Sequence, residues 1–260
     1  MNKRLLLIFL AVGVIAAGIW FYDWVLGDTL EASEPISAIP LETTAPSSSP
    51  LPAKVESPAA QPDPTTSPES APAEPGDSPA GNTVLYAILQ GESQASFTIF
   101  EELNGAPTNV VGITDQVAGE VSVDLEDLSQ IRLGVIQVNA RTLATDQDRR
   151  NSAIRNRILL TDQYEFINFS PTEISGLSGV AEPGQTFTFR ILGDLTIRDI
   201  TRPVSFDASV TLESAQRLNG TAKAVIAKSD FNLIVPSVPF VANVGEEVTL
   251  EIDFVLVPKQ

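Results

Sequence analysis

Hydrophobic and polar residues alternate over much of the second half of the chain, most clearly in residues 185–206 (QTFTFRILGDLTIRDITRPVSF). Phe187, Phe189 and Ile191 occupy every second position, and the alternation resumes after the polar segment 199–203. A period of two predicts β-strands with one apolar face. The pattern therefore predicts two antiparallel strands joined by a tight connection, and this hairpin must bury its apolar face.

The same period recurs along the rest of the chain beyond residue 82, and Gly-containing turns separate the alternating segments. One helix is predicted, over 145–158, with Thr145 or Asp146 as its N-cap. Many strands with one short helix are typical of an all-β domain, either a closed barrel or a sandwich. The predicted strands are 84–90, 94–100, 109–113, 117–124, 131–140, 164–174, 185–197, 203–213, 219–229 and 247–257.

A run without charge, LLLIFLAVGVIAAGIWFY, occupies residues 5–22. As a helix it would reach about 27 Å, close to the hydrocarbon thickness of a bilayer. Lys3 and Arg4 precede it and acidic residues follow it, so the remainder of the chain is expected outside the cytoplasm, in the periplasm or beyond the cell. A cleaved signal peptide is the alternative, which the bulky aromatic residues at the end of the run disfavour. We predict that residues 1–26 form a cytoplasmic tip and a single-pass signal-anchor in the cell membrane.

Proline and serine are concentrated between this run and the alternating segments. Twelve of the nineteen prolines lie between Pro35 and Pro79. A segment of this composition buries too little apolar surface to offset the entropy of ordering. We therefore predict a disordered acidic linker over 27–82, followed by one folded domain over 83–260.

The chain contains neither histidine nor cysteine, and its net charge is −17. The commonest general bases, thiol nucleophiles and transition-metal ligands are therefore missing, so we expect no enzyme, no cofactor and no metal site. The strong negative charge argues against nucleic acid as a partner, because phosphate contacts need a basic surface.

Several segments resemble one family in the same order along the chain. The GDLTI segment at 193–197, followed by Arg-Pro-Val at 202–204, is similar to the central hairpin of the YceI-like family. RTLATD from Arg141, YEFINF from Tyr164 and KSDF from Lys228 extend the resemblance over 84–257. The members of that family are lipocalin-like barrels that hold polyisoprenoid or other long lipid chains. The resemblance implies a lipocalin-like antiparallel β-barrel of about eight strands and an apolar ligand.

The family pattern is not complete in this chain. Glu165 stands where proline is usual in the family, and the histidine common in the helical insertion is absent. These departures bear on the ligand rather than on the fold.

The inward-pointing positions of such a barrel supply the candidate ligand contacts. A barrel of this size is either filled by its own side chains or holds one small ligand, and the residues alone leave both possibilities open. The candidates are Phe97, Ile99, Ile167, Phe169, Phe187, Phe189, Ile191, Phe206, Phe231 and Phe254.

Arginine is concentrated near the predicted helix. Five of the eleven arginines lie in residues 141–157, within a strongly acidic chain. Arginine suits a phosphate or carboxylate headgroup because its planar guanidinium binds such anions through two hydrogen bonds. The alternative is a solvated helix face paired with nearby acids. The headgroup candidates are Arg141, Arg149, Arg150 and Arg155.

Together these features predict a membrane-anchored, extracytoplasmic lipid-binding protein. Its barrel would sequester a long apolar chain, a polyisoprenoid being one candidate. The alternative is a structural or interaction module of the envelope, with a filled barrel core and no ligand.

Overall fold

The computed structural model describes residues 30–33, 35–41, 83–237 and 241–259. The predicted membrane anchor and most of the predicted linker lie outside these residues. Among the residues that are described, no helix has the length and hydrophobicity needed to cross a membrane.

The described domain is all-β, as the alternation predicted. Its thirteen strands exceed the expected number of about eight, partly because three of them have only two residues. The strands are β1 (Thr83–Ile88), β2 (Gln94–Leu103), β3 (Ala106–Thr114), β4 (Val117–Ala118), β5 (Glu120–Asp124), β6 (Arg132–Leu133), β7 (Ile136–Asn139), β8 (Phe166–Ser175), β9 (Thr186–Ile197), β10 (Ile200–Ser214), β11 (Arg217–Ala227), β12 (Val241–Ala242) and β13 (Glu247–Pro258).

These strands form one antiparallel sheet that curls on itself. Its main path runs β4-β7-β8-β9-β10-β11-β13-β1-β5-β6, and β2, β3 and β12 extend it from β13. β4 and β5 are separated by Gly119 alone, yet they lie near opposite ends of this path. The segment 117–124 therefore brings the two ends of the sheet together, which gives a lipocalin-like architecture with an enclosed interior.

The central hairpin is β9 and β10, and its turn is shorter than predicted. Arg198 and Asp199 alone connect the strands, and Arg198 adopts a left-handed backbone conformation with φ of 59°. The segment expected to form the turn therefore lies largely in β10, where Pro203 pairs with Asp194. Proline is tolerated there because β10 pairs with β11 only from Asp207 onward, so no neighbour needs the missing N–H group.

The helix is also shorter than predicted. α1 (Asp148–Ala153) continues into one π-helical turn, Ile154–Leu159, and Gln147 occupies the N-cap. Thr145 does not cap it. Its backbone N–H and its hydroxyl instead donate to Asn151 Oδ1, at 2.6 and 2.7 Å. The prediction of Thr145 or Asp146 as the N-cap was therefore wrong. The helix begins later than predicted, and the Thr145 hydroxyl is engaged by the Asn151 side chain.

A segment assigned to the linker lies against the domain. We call residues 30–33 and 35–41 the N-terminal strap. Ser33 donates from its backbone N–H and its hydroxyl to Glu165, both at 2.7 Å, and Leu41 donates to Glu120 at 3.0 Å. Ile36 is only 5% exposed. These contacts correct the prediction of disorder over 27–82 for the strap, because a buried aliphatic side chain and two carboxylate acceptors offset the entropy of ordering it.

Candidate ligand cavity

The curled sheet encloses two cavities. The large cavity has a volume of about 1200 Å³ and the small cavity about 120 Å³. Aliphatic and aromatic side chains dominate both walls. Glu120 is the charged residue that lines the small cavity, and several charged residues line the large one. The interior is therefore hollow over a volume comparable to that of small-molecule sites, which usually measure about 300–1,000 Å³.

Most of the predicted ligand contacts face one of these two spaces. Three line the large cavity alone: Phe97, Ile99 and Ile167. Four line the small cavity alone: Phe187, Phe189, Ile191 and Phe254. Phe169 and Phe206 line both.

Phe231 is the exception among the aromatic candidates. It is 1% exposed and lines neither cavity. It ends a 3₁₀ turn, Lys228–Phe231, rather than lying on a strand, so strand parity did not apply to it. Phe231 is a packed core residue.

Part of the large-cavity wall was missed in the sequence. Ile154 and Ile158 contribute from the helical segment, and Ile136 and Val138 from the short strand β7. The spacing of four between Ile154 and Ile158 is a helical signal that could have found the first pair. β7 lies within the predicted strand 131–140, but Ile136 and Val138 have the opposite parity to Ile131 and Leu133, because residues 134 and 135 separate β6 from β7.

Four glycines let cavity side chains lie back against the sheet. Gly112, Gly119, Gly193 and Gly220 face Phe97, Ile136, Phe169 and Phe254 respectively. A methyl group at Gly193 would lie 2.6 Å from Phe169 Cζ, and one at Gly220 would lie 2.8 Å from Phe254 Cζ. All four opposing side chains line a cavity, so the missing Cβ atoms help keep the interior hollow.

Replacement of Gly193 by alanine is expected to lower the free energy of unfolding by about 1–3 kcal/mol, because the methyl group would overpack the wall. It would meet both the Phe169 ring and the Ser170 carbonyl oxygen at under 3 Å. Gly245→Ala is the matched control, since its nearest neighbour would be at 3.4 Å. Urea denaturation of the two variants checks this, and equal stabilities would contradict it.

The charged groups of the large-cavity wall are mostly neutralised. Arg150 pairs with Glu101 at 3.0 Å and with Asp146 at 2.5 Å. Lys228 lies 2.5 Å from Glu246, whose pKa is lowered to about 2 by hydrogen bonds from Lys228 and Ser229. Glu246 therefore stays ionised over the physiological range and balances Lys228.

Arg149 differs from these cations. It is exposed, it lines the large cavity, and no carboxylate pairs with it among the described residues. Arg149 is consequently the headgroup candidate that remains available to an anion. Arg157, not among the candidates, also lines this cavity.

Two of the headgroup candidates lie elsewhere. Arg141 binds Glu165 at 2.8 Å and donates to the backbone oxygens of Thr161 and Glu31. It therefore helps to fix the strap and lines neither cavity. Arg155 also lines neither cavity. The prediction grouped these arginines by sequence proximity. Arg141 lies in a separate 3₁₀ turn, Ala140–Thr142, and the helical segment points Arg155 in a different direction from Arg149.

An antiparallel sheet curled around a large apolar cavity defines a lipocalin-like cavity protein. The model of the YceI-like domain matches residues 86–256, so the chain belongs to the YceI-like family. The resemblance inferred from GDLTI and the segments around it is thereby confirmed.

Solved structures share the fold at low sequence identity. A polyisoprenoid binding domain from Saccharophagus degradans, implicated in plant cell wall breakdown, is 12% identical, with a TM-score of 0.53 over 68% of this chain and 99% of that one. BcnA from Burkholderia cenocepacia is 17% identical, with a TM-score of 0.51 over 65% and 98%. No curated protein matches the sequence.

Proposed function

We propose that this chain is a lipid-binding protein that holds a long apolar chain in the large cavity, a polyisoprenoid being one candidate. The observation that carries the proposal is the cavity of about 1200 Å³ behind an apolar wall. A barrel that served only as a structural module would fill this space with its own side chains. Membership of the YceI-like family and the similarity to a polyisoprenoid binding domain from Saccharophagus degradans support the same function.

The physical basis of binding is removal of apolar surface from water. Each methylene of a bound chain contributes about 0.8 kcal/mol when it is fully buried. The polar end of the ligand needs a partner at the wall, and Arg149 is the available cation there. We propose that Arg149 contacts an anionic headgroup, while Arg150 orders the wall through Glu101.

The test is to look for bound lipid in a soluble form that begins at residue 28 and so retains the strap and the domain. Native mass spectrometry after expression should show a lipid adduct that organic extraction removes. Arg149→Glu should lower occupancy by an anionic lipid, since it reverses the charge at the wall. Arg202→Glu, an exposed change on β10 away from both cavities, is the control. Absence of an adduct, with no uptake of added polyprenyl phosphate, would remove the proposal.

We also propose that the domain is anchored in the cell membrane by residues 1–26 and lies outside the cytoplasm. The apolar run 5–22 and its flanking charges support this. The strap and β1 hold the two residues that flank the segment 42–82 close together on the domain. The backbone N–H of Leu41 donates to the Glu120 side chain, and Thr83 pairs with Asp124. Glu120 and Asp124 are four positions apart on β5, which is about 13 Å at 3.3 Å per residue.

Because Leu41 and Thr83 lie at neighbouring points of the domain, the length of the chain between them does not affect the distance from the domain to an N-terminal anchor. If residues 5–22 span the membrane, the seven residues 23–29 would bridge at most about 25 Å between the membrane and the strap.

Cell fractionation checks the anchor. Full-length protein should remain in membranes after carbonate washing and should be released by detergent. Recovery of a shortened protein in the soluble fraction would show instead that the N-terminal run is removed.

A further inference from the structure

The two cavities meet at a small set of shared side chains. Ile136, Phe169, Phe206 and Ile252 line both of them. The rings of Phe169 and Phe206 pack edge to face, with centroids 4.8 Å apart and planes at 65°. We call these four residues the partition.

Two of the partition side chains lie directly against the sheet. Phe169 and Phe206 are both buried. Gly193 faces the Phe169 ring and Gly119 faces Ile136, so each of these side chains already lies directly against the sheet. Neither can retreat further toward the wall to enlarge the passage between the cavities.

We propose that the partition closes the inner end of the large cavity and thereby sets the longest apolar chain that the protein binds well. This inference rests on the proposed function. The small cavity would then be an unused end chamber in the native protein. A cavity of about 150 Å³ lined by Leu, Ile and Phe is known to stay dry and to accept benzene. The small cavity has a similar size, about 120 Å³, and its lining is apolar apart from Glu120, so a chain terminus could fill it once the partition is removed.

The test measures affinity for unbranched fatty alcohols of increasing length, using the protein that begins at residue 28. In the native protein, affinity should rise about four-fold for each added methylene and then level off. Phe169→Ala removes one half of the ring pair and joins the cavities. Its affinity should continue to rise beyond the length at which the native protein levels off.

Phe187→Ala is the matched control. Phe187 lines the small cavity but not the large one, so this change enlarges the chamber without opening the partition. Its limiting chain length should equal that of the native protein. Phe169→Leu provides a milder opening, with a smaller shift in the same direction, in case the alanine variant does not fold.

The outcomes separate this inference from the proposed function. If the native protein binds none of the alcohols, the proposed function fails. If the native protein binds them but folded Phe169→Ala and Phe169→Leu keep the native limit, the partition is not the limit and the inference is overturned. A native affinity that rises without levelling off would overturn it as well, since the partition would then yield to the ligand.

Discussion

A protein that begins at Asn82 is expected to be about 2–4 kcal/mol less stable than one that begins at residue 28. Burying an Ile side chain contributes about 1.5–3 kcal/mol, and Ile36 is 5% exposed. Hydrogen bonds to charged groups contribute about 1.5–3 kcal/mol each, and the strap makes several to Glu165 and Glu120. The entropy of ordering the strap offsets much of this sum.

The strap supplies its own matched pair of point variants. Ile36→Ala should lower the free energy of unfolding by about 2–4 kcal/mol, as for other buried Ile side chains. Ile39→Ala, three positions away, should cost little, since Ile39 is 42% exposed. Urea denaturation of the full strap-containing protein gives both values. Equal stabilities for the two variants, or for the two starting points, would show that the strap contributes nothing to the fold.

The strands were predictable because alternation is a local property. β9 was expected at 185–197 and is Thr186–Ile197, and β13 was expected at 247–257 and is Glu247–Pro258. Each has one face toward the interior, so its pattern is written in consecutive residues. The sequence could not show that the predicted strand 117–124 is two strands, β4 and β5, separated at Gly119. The separation arises because β4 pairs with β7 and β5 pairs with β1, which are distant in the sheet.

The strap was missed for a similar reason. Its composition is that of an unfolded segment, and Ile36 is the only fully buried residue among its described residues. The acceptors that hold it are distant in sequence: Glu120 is 79 residues from Leu41, and Glu165 is 132 residues from Ser33. Composition averaged over a long window hides such contacts.

The cavity was predictable only in outline. Parity placed Phe97, Phe169 and Phe187 toward the interior but did not divide them between two spaces. That division depends on the partition side chains, two of which lie against glycines of neighbouring segments. Gly193, opposite Phe169, lies 24 residues further along the chain. The arginine cluster shows the same limit, because the sequence does not reveal that Glu165 engages Arg141 and that Glu101 engages Arg150.

Replacing Lys259 by methionine is expected to lower the free energy of unfolding by about 2–3 kcal/mol at neutral pH. Lys259 Nζ lies 2.5 Å from Glu120, whose side chain is 2% exposed. Removing one partner of a buried pair usually costs about 3–5 kcal/mol, and the half-exposed Lys259 side chain reduces this. Lys223→Met is the matched control. Its partner Glu251 is partly exposed, so we expect a change of at most about 1 kcal/mol.

The loss of unfolding free energy in Lys259→Met should also increase as the pH rises from acid to neutral. Burial raises the pKa of Glu120, but hydrogen bonds from Lys259 and Leu41 and the charge of Lys259 outweigh it, so the pKa lies below its ordinary value of 4.5. In the native protein Glu120 therefore contributes stability above pH 4.5, and this contribution is lost as the pH falls through the lowered pKa.

In Lys259→Met, burial still raises the pKa of Glu120, and only the hydrogen bond from the Leu41 N–H lowers it. The pKa of Glu120 should therefore rise above 4.5. Ionised Glu120 then destabilises the variant as the pH rises through that higher pKa. The stability difference between the native protein and Lys259→Met should consequently be small in acid and largest at neutral pH. Urea denaturation across this pH range measures it. A difference that does not change with pH would show that the buried carboxylate is not what Lys259 stabilises.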